Sequence, residues 1–220
     1  MGQGRLFDEP EGPMMGSVEA SLRGRGVVRI IGVDEAGRGP LAGPVHAAAY
    51  FLELAEELPE GLQDLDDSKK LKADVRERLF ESLSLHEDRW ALSASSAKVV
   101  DEINVLQATF RAMKAAVDEV VRRWGAPDLI VVDGNMVIPG VELPQQAIVK
   151  GDGKSRAIAA ASIAAKVSRD RVMAAAAETW PAYGFESNKG YGTAAHREAL
   201  RIHGPCEIHR RSFAGVVLGE

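Results

Sequence analysis

A β-branched, apolar run that ends on two acidic residues constrains this chain more than any other feature. Residues 27–33 read VVRIIGV, and Asp34 and Glu35 follow at once. Such a run is typical of a buried strand. A charge at the end of a buried strand costs several kcal/mol unless it is paired or binds a metal. The fold is therefore expected to bring partners to these two carboxylates.

Strands and helices alternate along the rest of the chain. Apolar runs predict further strands over residues 44–51, 89–95, 129–132 and 147–149. Apolar residues at helical spacing, and a stretch rich in alanine, predict helices over residues 71–83, 101–124 and 155–178. This alternation predicts an α/β domain with a mixed or largely parallel sheet.

The chain divides into three predicted regions. With 220 residues, of which 45% are hydrophobic, it is long enough for one domain with an appendage. Residues 1–26 lack a continuous apolar stretch and are expected to form a flexible N-terminal tail. Residues 27–180 hold the predicted α/β domain, and residues 181–220 are expected to form a mostly helical C-terminal extension.

Composition excludes some classes of protein. The formal net charge of -5, from 27 Lys and Arg against 32 Asp and Glu, excludes a coat protein that is basic over its whole surface, but not a local basic groove. The single cysteine, Cys206, cannot form an internal disulfide. No apolar run approaches the roughly 18 residues that a membrane span needs. We therefore expect a cytoplasmic protein without membrane contact, and a monomer by default.

A second predicted strand also delivers an acid, because Asp133 follows residues 129–132. The carboxyl edge of an α/β sheet is the usual place for a ligand site, so Asp133 is expected to lie near Asp34 and Glu35. The alternative is that each Asp caps a turn beside a glycine.

A fourth acid, Asp170, lies on the alanine-rich helix. It shares a helical face with Ile163, Lys166 and Val167, which turns that face inward. Small residues along the helix would let it lie close to the sheet and bring Asp170 near the strand acids. The alternative is an exposed Lys166–Asp170 ion pair, worth about 0.3 kcal/mol.

Four converging carboxylates would need a cation. Each close pair repels by about 4 kcal/mol at 4 Å and an effective dielectric near 20. Oxygen ligands favour Mg²⁺ or Mn²⁺ over softer metals. Two such ions about 4 Å apart suit in-line hydrolysis of a phosphodiester.

Glycine-rich segments offer a phosphate-binding interpretation. Residues 37–43 and 151–155 resemble dinucleotide and P-loop motifs but match neither spacing. The loop of Gly37, Arg38 and Gly39 suits a polymeric ligand instead, because glycine permits close approach and arginine binds phosphate. Lys69 is a candidate contact to a nucleic-acid backbone. Tyr191 could stack on a sugar or base; the alternative is a partly buried ring.

The chain resembles ribonuclease HII in seven segments that occur in the family's order and span nearly all of residues 30–213. They are GVDEAGRGPLAGPV (32–45), DSKKL (67–71), INVLQAT (103–109), VDGN (132–135), AAASIAAKVSRDR (159–171), KGYGT (189–193) and HRRSF (209–213). The resemblance implies a ribonuclease-H-like α/β fold, with a mixed five-stranded sheet flanked by helices and a helical C-terminal extension.

The resemblance also implies a reaction and a site. The expected activity is endonucleolytic hydrolysis, dependent on Mg²⁺ or Mn²⁺ with two ions during catalysis, of RNA–DNA hybrids. It includes cutting 5′ of single ribonucleotides in duplex DNA, which leaves 5′-phosphate and 3′-hydroxyl ends and initiates ribonucleotide excision. The implied catalytic and metal-binding acids are Asp34, Glu35, Asp133 and Asp170.

Substrate contacts are implied as well. Gly37, Arg38 and Gly39 would read the 2′-hydroxyl, the group that separates RNA from DNA. Tyr191 would pack on the junction sugar, and Lys69 would contact DNA phosphate. Asn188 stands where relatives often carry histidine.

The N-terminal tail contains a separate pattern. Residues from Gln3 to Phe7 loosely resemble the QxxLF peptide by which bacterial replication proteins bind the sliding clamp. This predicts a weak clamp contact.

Two other functions remain open from the sequence. One is a nucleic-acid-binding module without turnover, although such a module has no reason to keep acids that repel one another. The other is a broader nuclease, such as a Holliday-junction resolvase or an integrase-like enzyme. The Gly-Arg-Gly loop with a downstream tyrosine favours ribose recognition.

Overall fold

A mixed sheet forms the centre of the fold. The computed structural model describes residues 14–217. The strand order is β3-β2-β1-β4-β5. The strands are β1 (Arg29–Ala36), β2 (Val45–Glu53), β3 (Trp90–Ser95), β4 (Leu129–Asp133) and β5 (Gln145–Ile148). β2 runs antiparallel to β1 and β3, whereas β1, β4 and β5 are parallel. The predicted mixed five-stranded sheet is confirmed.

Helices flank this sheet and continue beyond it. They are α1 (Ser17–Gly24), α2 (Ala73–Ser84), α3 (Ala97–Ile103), α4 (Val105–Trp124), α5 (Arg156–Thr179), α6 (Phe185–Asn188) and α7 (Ala194–His203). Residues 101–124 were predicted as one helix, but the structure has two. Asn104 takes a positive φ of 65°, and its side chain accepts hydrogen bonds from the backbone N–H groups of Leu106 and Gln107. This cap begins a new helix, α4.

Alternate residues of the strands face two separate cores. Ile30 and Val131 pack against α5 on one face of the sheet, whereas Ile31 and Ile130 pack on the other face with residues of α4. This alternation follows from the two-residue period of a strand. It also determines toward which helix each acid at the strand ends points.

Helix α5 lies directly on β1. A Cβ at Gly32 would overlap the backbone of Ala157, so only glycine permits this approach. Alanines at the same face of α5 are fully buried. The contact fixes how far along the strand each turn of α5 lies.

Both ends of the described part of the chain, residues 14–217, pack on this framework. Part of the segment predicted as a flexible tail is folded: Leu22 of α1 is buried in the α5 core, and Glu19 accepts hydrogen bonds from Ser155 Oγ and Ala157 N. Residues 1–13, including the predicted clamp-binding residues Gln3 to Phe7, lie outside the described residues. The C-terminal extension buries an apolar cluster against the loop between β1 and β2, through Tyr183, Phe185, Leu200 and Val216.

Candidate active site

The carboxyl ends of β1 and β4 carry two aspartates on the same face of the sheet. Val33 pairs with Val132 in the parallel register, so Asp34 and Asp133 come at the next step of both strands. Asp34 lies four residues beyond Ile30, and Asp133 lies two residues beyond Val131; both of these apolar residues face α5. Because side chains of a strand alternate between its faces, an even spacing returns to the same face. Both therefore point to the α5 side.

A third aspartate joins them from a short 3₁₀ turn, Gly151–Gly153, which lies between β5 and α5. Asp152 in this turn is 3% exposed. Gly151 N donates a hydrogen bond of 2.6 Å to Asp133 Oδ1, which ties the turn to the end of β4. One carboxylate oxygen each from Asp34, Asp133 and Asp152 lies within 4.8 Å of the others. We call these three residues the aspartate cluster.

Burial and neighbouring negative charges raise the pKa values of two members of this cluster, Asp34 and Asp133. The pKa of Asp34 is raised well above its ordinary value by burial, and further by the charges of Glu35 and Asp133. Burial, followed by the charge of Asp152, raises the pKa of Asp133. A divalent cation among these oxygens would offset both effects, because it replaces lost hydration and cancels the repulsion.

Glu35 borders the cluster without being one of its three members. The two-residue period places its side chain on the opposite side of β1 from Asp34. Arg38 Nη1 approaches Glu35 Oε1 at 3.4 Å. Burial raises the pKa of Glu35, and the charge of Arg38 opposes that rise. Because the charge of Asp133 also raises this pKa, the end of β1 brings Glu35 within electrostatic reach of the cluster.

Lys69 supplies a positive charge at the solvent edge. Its Nζ donates to Asp152 Oδ2 at 2.7 Å, while its side chain is 77% exposed. Burial lowers its pKa, but the hydrogen bond and charge of Asp152 more than offset this and raise the pKa. Lys69 therefore lies where a phosphate next to the cluster would meet it.

Asp170 is not brought into the aspartate cluster. Its Oδ1 accepts a 2.9 Å hydrogen bond from Lys166 Nζ; the sequence left open an exposed pair of these two residues, whereas their side chains are partly buried, at 30% and 19% exposed. The residue of α5 that lies beside Asp34 and lowers the pKa of its carboxyl is Ser162. Eight residues separate Ser162 from Asp170, which is about 12 Å along a helix. The helical face was predicted as inward, and Asp170 is partly buried, but among the described residues the acids that cluster are Asp34, Asp133 and Asp152.

The loop between β1 and β2 is held tightly. Gly37 has a φ of 97°, and a Cβ there would overlap the side chain of Arg169. A Cβ at Gly39 would lie 3.7 Å from Tyr191 Cε1. Tyr191 is 46% exposed, so its ring is available beside the loop. The structure thus brings together Gly37, Arg38, Gly39 and Tyr191 from distant parts of the chain.

The arrangement fits an oxygen-liganded divalent cation. The three clustered ligand atoms are all carboxylate oxygens, which favour Mg²⁺ or Mn²⁺. They lie at the carboxyl edge of the sheet, beside the exposed Lys69 side chain. None of the helices within residues 14–217 has the length and apolar character to cross a membrane.

Comparison with known proteins places this site in a family. The family model of ribonuclease HII matches residues 31–216. A ribonuclease HII of Chlorobaculum parvum is 48% identical over 192 residues, which cover 87% of this chain and 92% of that protein. The crystal structure of ribonuclease H2 from Pyrococcus horikoshii has a TM-score of 0.67 at 28% identity, and covers 86% of this chain and 95% of that one. A ribonuclease HII from Archaeoglobus fulgidus, solved in complex with PCNA, has a TM-score of 0.61 at 29% identity, with coverages of 80% and 88%.

The fold and the aspartate cluster define a ribonuclease-H-like nuclease, as the resemblance implied. Within that class, the chain belongs to the ribonuclease HII family. It is an endonuclease of the ribonuclease H type that acts on RNA–DNA hybrids, and the activity of this family depends on a divalent metal.

Sequence reasoning missed Asp152. The segment that contains it, residues 151–155, was set aside because it does not complete a P-loop. A usable signal was present, since Asp152 follows a predicted strand as Asp34 and Asp133 do. That strand is the short, weakly apolar β5, and its place beside β4 is visible only in the sheet.

Proposed function

We propose that this chain cuts the RNA strand of RNA–DNA hybrids and cuts on the 5′ side of single ribonucleotides in duplex DNA. The products would carry 5′-phosphate and 3′-hydroxyl ends, and the cut would initiate ribonucleotide excision. The observation that carries this proposal is the aspartate cluster, in which two buried carboxylates and one partly buried carboxylate have ligand oxygens within 4.8 Å of one another at the sheet edge.

The acids would hold Mg²⁺ or Mn²⁺, with two ions during catalysis. Asp34, Asp133 and Asp152 supply the oxygens, and Glu35 borders them. We propose Asp152 for the role that the resemblance assigned to Asp170. When bound, the metal supplies an activated water and stabilises the charge that develops on the leaving 3′-oxygen. Burial raises the pKa values of Asp34 and Asp133, and a bound cation would offset the cost of ionising these two carboxyls.

The neighbouring loop would choose the nucleotide. Arg38 and Gly39 are exposed to a ligand, and Arg38 lies beside Glu35, whereas Gly37 is buried behind them. Tyr191 lies close to Gly39, so a sugar held by the loop would meet the face or edge of its ring. Lys69, which already contacts Asp152, would contact the DNA phosphate next to the cut.

The decisive experiment uses a 5′-labelled DNA duplex with one internal ribonucleotide. Incubation with Mg²⁺ or Mn²⁺ should give a product that ends one nucleotide before the ribose, whereas alkali cuts after it and supplies a size marker. EDTA should abolish cleavage, and the all-DNA duplex of the same sequence should stay intact. Cleavage of the all-DNA duplex, or a cut only on the 3′ side of the ribose, would contradict the proposal.

We further propose a weak sliding-clamp contact through Gln3 to Phe7 and a monomeric enzyme. The Archaeoglobus fulgidus relative was solved in complex with PCNA, which is a sliding clamp, and this supports the first idea. A pull-down with the bacterial clamp should lose signal on Leu6→Ala and Phe7→Ala. Equal binding by the double variant would refute it.

A further inference from the structure

A buried arginine, Arg210, donates hydrogen bonds to the loop that the proposed function assigns to ribose recognition. Its Nε donates to the carbonyl of Gly43 at 3.0 Å, its Nη1 to that of Arg38 at 2.9 Å, and its Nη2 to that of Gly37. The residue is 0% exposed. One rigid guanidinium therefore spans both ends of the loop.

Backbone hydrogen bonds on both sides of Arg210 also hold this loop. Arg210 N donates to Leu41 O at 2.8 Å, and Gly43 N donates to Ile208 O at 2.8 Å. Between them, Ala42 and His209 form an antiparallel bridge. The C-terminal segment 208–210 is thus paired with the loop like a short extra strand.

The preceding residue, His209, reaches the other half of the proposed recognition site. His209 Nε2 lies 2.9 Å from His196 Nε2, and His196 Nδ1 lies 2.9 Å from the carbonyl of Tyr191. A carbonyl only accepts, so His196 donates from Nδ1 and, when neutral, accepts at Nε2. His209 must then donate from Nε2 and accept at Nδ1, where Cys206 N–H meets it at 3.0 Å. Each donor in this series of hydrogen bonds therefore meets an acceptor. The series ends at the backbone carbonyl of Tyr191.

Burying the Arg210 guanidinium costs folding free energy, which indicates that this side chain does more than fill space. Burial, and then the charge of Arg169, lowers the pKa of Arg210 to about 9. A buried cation that faces neutral carbonyls costs several kcal/mol relative to water. An apolar side chain could fill the same volume without that cost. What it could not do is offer three donors in a fixed planar fork.

We infer that His209 and Arg210 are positioning residues that set the Gly37–Gly39 loop and the Tyr191 ring at a fixed distance for recognition of the ribose. The inference rests on the proposed function, because it takes the loop and the tyrosine as the groups that contact the ribonucleotide. Both positioning residues are buried, at 1% and 0% exposed, so they would not touch the substrate. They act through the backbone carbonyls of Gly37, Arg38 and Tyr191.

The test replaces Arg210 with lysine and compares it with the same replacement at Arg211. Arg211 is the exposed neighbour, so it controls for loss of a guanidinium from this segment. Lysine keeps the charge but cannot span three carbonyls. R210K should lower kcat/KM on a single-ribonucleotide duplex about 10- to 100-fold, since misplacement by about 1 Å has effects of this size. A long RNA–DNA hybrid presents a ribose at every position, so its cleavage should fall less than that of the single-ribonucleotide duplex, and R211K should keep the wild-type ratio of the two rates.

Two readouts separate positioning from general damage. Mn²⁺ binding measured by calorimetry without nucleic acid should be unchanged in R210K, because the aspartate cluster is untouched. Amide hydrogen exchange should rise in residues 37–43. An equal loss of both cleavage activities, or loss of Mn²⁺ binding, would overturn the inference.

Further variants keep the outcome decisive. If R210K does not fold, His209→Phe keeps an aromatic ring and removes the hydrogen bond to His196. This variant should shift the same ratio, and a wild-type ratio would refute the inference.

Tyr191→Ala tests the proposed function itself. If Tyr191→Ala shifts the ratio and R210K does not, the positioning role fails alone. If Tyr191→Ala leaves the ratio unchanged, the proposed recognition site fails, and the positioning role fails with it.

Discussion

Replacing Asp152 with asparagine tests whether the third acid of the metal site is Asp152, which the structure places beside Asp34 and Asp133, or Asp170 on α5. The carboxylate oxygen of Asp152 lies within 4.8 Å of those of Asp34 and Asp133. At that distance and an effective dielectric near 20, each pair of charges repels by about 3 to 4 kcal/mol. The neutral amide removes two such repulsions. It also removes the partner of Lys69, but because the Lys69 side chain is 77% exposed to screening solvent, that pair is worth only about 0–1 kcal/mol.

Without a divalent metal, D152N should therefore melt at or above the wild-type temperature. With Mn²⁺ at about 100 times its Kd, the wild type gains about 2.7 kcal/mol. For a chain of this size, that gain raises Tm by about 5 to 10 °C. D152N has lost one of three clustered ligands, so most of this rise should disappear, and cleavage of the single-ribonucleotide duplex should fall at least about 100-fold.

The matched control is Asp170→Asn. It makes the same chemical change, but at a carboxylate paired with Lys166. D170N should keep the Mn²⁺-dependent rise in Tm and most of its cleavage activity. Scanning calorimetry in EDTA and in Mn²⁺, with single-turnover cleavage beside it, measures both variants. If D170N loses the Mn²⁺ effect while D152N retains it, the assignment of Asp152 to the metal site is wrong.

Three further predictions follow from the geometry. Asp34→Asn should abolish cleavage in gel assays yet leave duplex affinity, measured by fluorescence anisotropy, equal or higher, because it removes a negative charge that faces phosphate. Gly37→Ala should destabilise the protein by about 1–3 kcal/mol in urea, because it combines a positive φ with an overlap on Arg169. Burial, then the charge of Arg169, lowers the pKa of His46 from 6.5 to about 4. The unfolded chain therefore takes up a proton first, and stability should be full above pH 6.5 and fall as the pH drops from 6.5 toward 4. The loss by pH 5 is about 2 kcal/mol, and His46→Asn should flatten this slope in urea titrations at pH 7 and pH 5.

The sheet was predictable because its strands carry their signal locally. Residues 27–33 and 129–132 are β-branched runs that no helix would favour, and each is followed by an acid. Once both strands are placed in one parallel sheet, the two-residue period brings Asp34 and Asp133 to the same face. The pairing of these two acids therefore needs only the strand pattern and the usual location of sites in α/β sheets.

The third acid depends on information that a helical pattern does not contain. The apolar face of α5 shows which side of the helix turns inward, and Asp170 is on that side by spacing. It does not show where the helix lies along β1. That position is set by the contact of Gly32 with Ala157, and from Ala157 to Asp170 the helix rises by about 20 Å. Asp152, by contrast, needs only the short turn after β5.

The C-terminal segment was harder still, because its partners are remote in sequence. Arg210 and Gly37 are separated by 173 residues, and a buried arginine has no hydrophobic period that would mark it. Both kinds of buried charge in this protein oppose folding taken alone: acids that repel one another, and a guanidinium that faces carbonyls. Each becomes favourable only with a partner from elsewhere, which is a cation for the acids and a shaped loop for the arginine. A local sequence pattern cannot identify residues whose burial is favourable only with such a remote partner. In this protein those residues lie at the metal site and behind the proposed ribose-recognition loop.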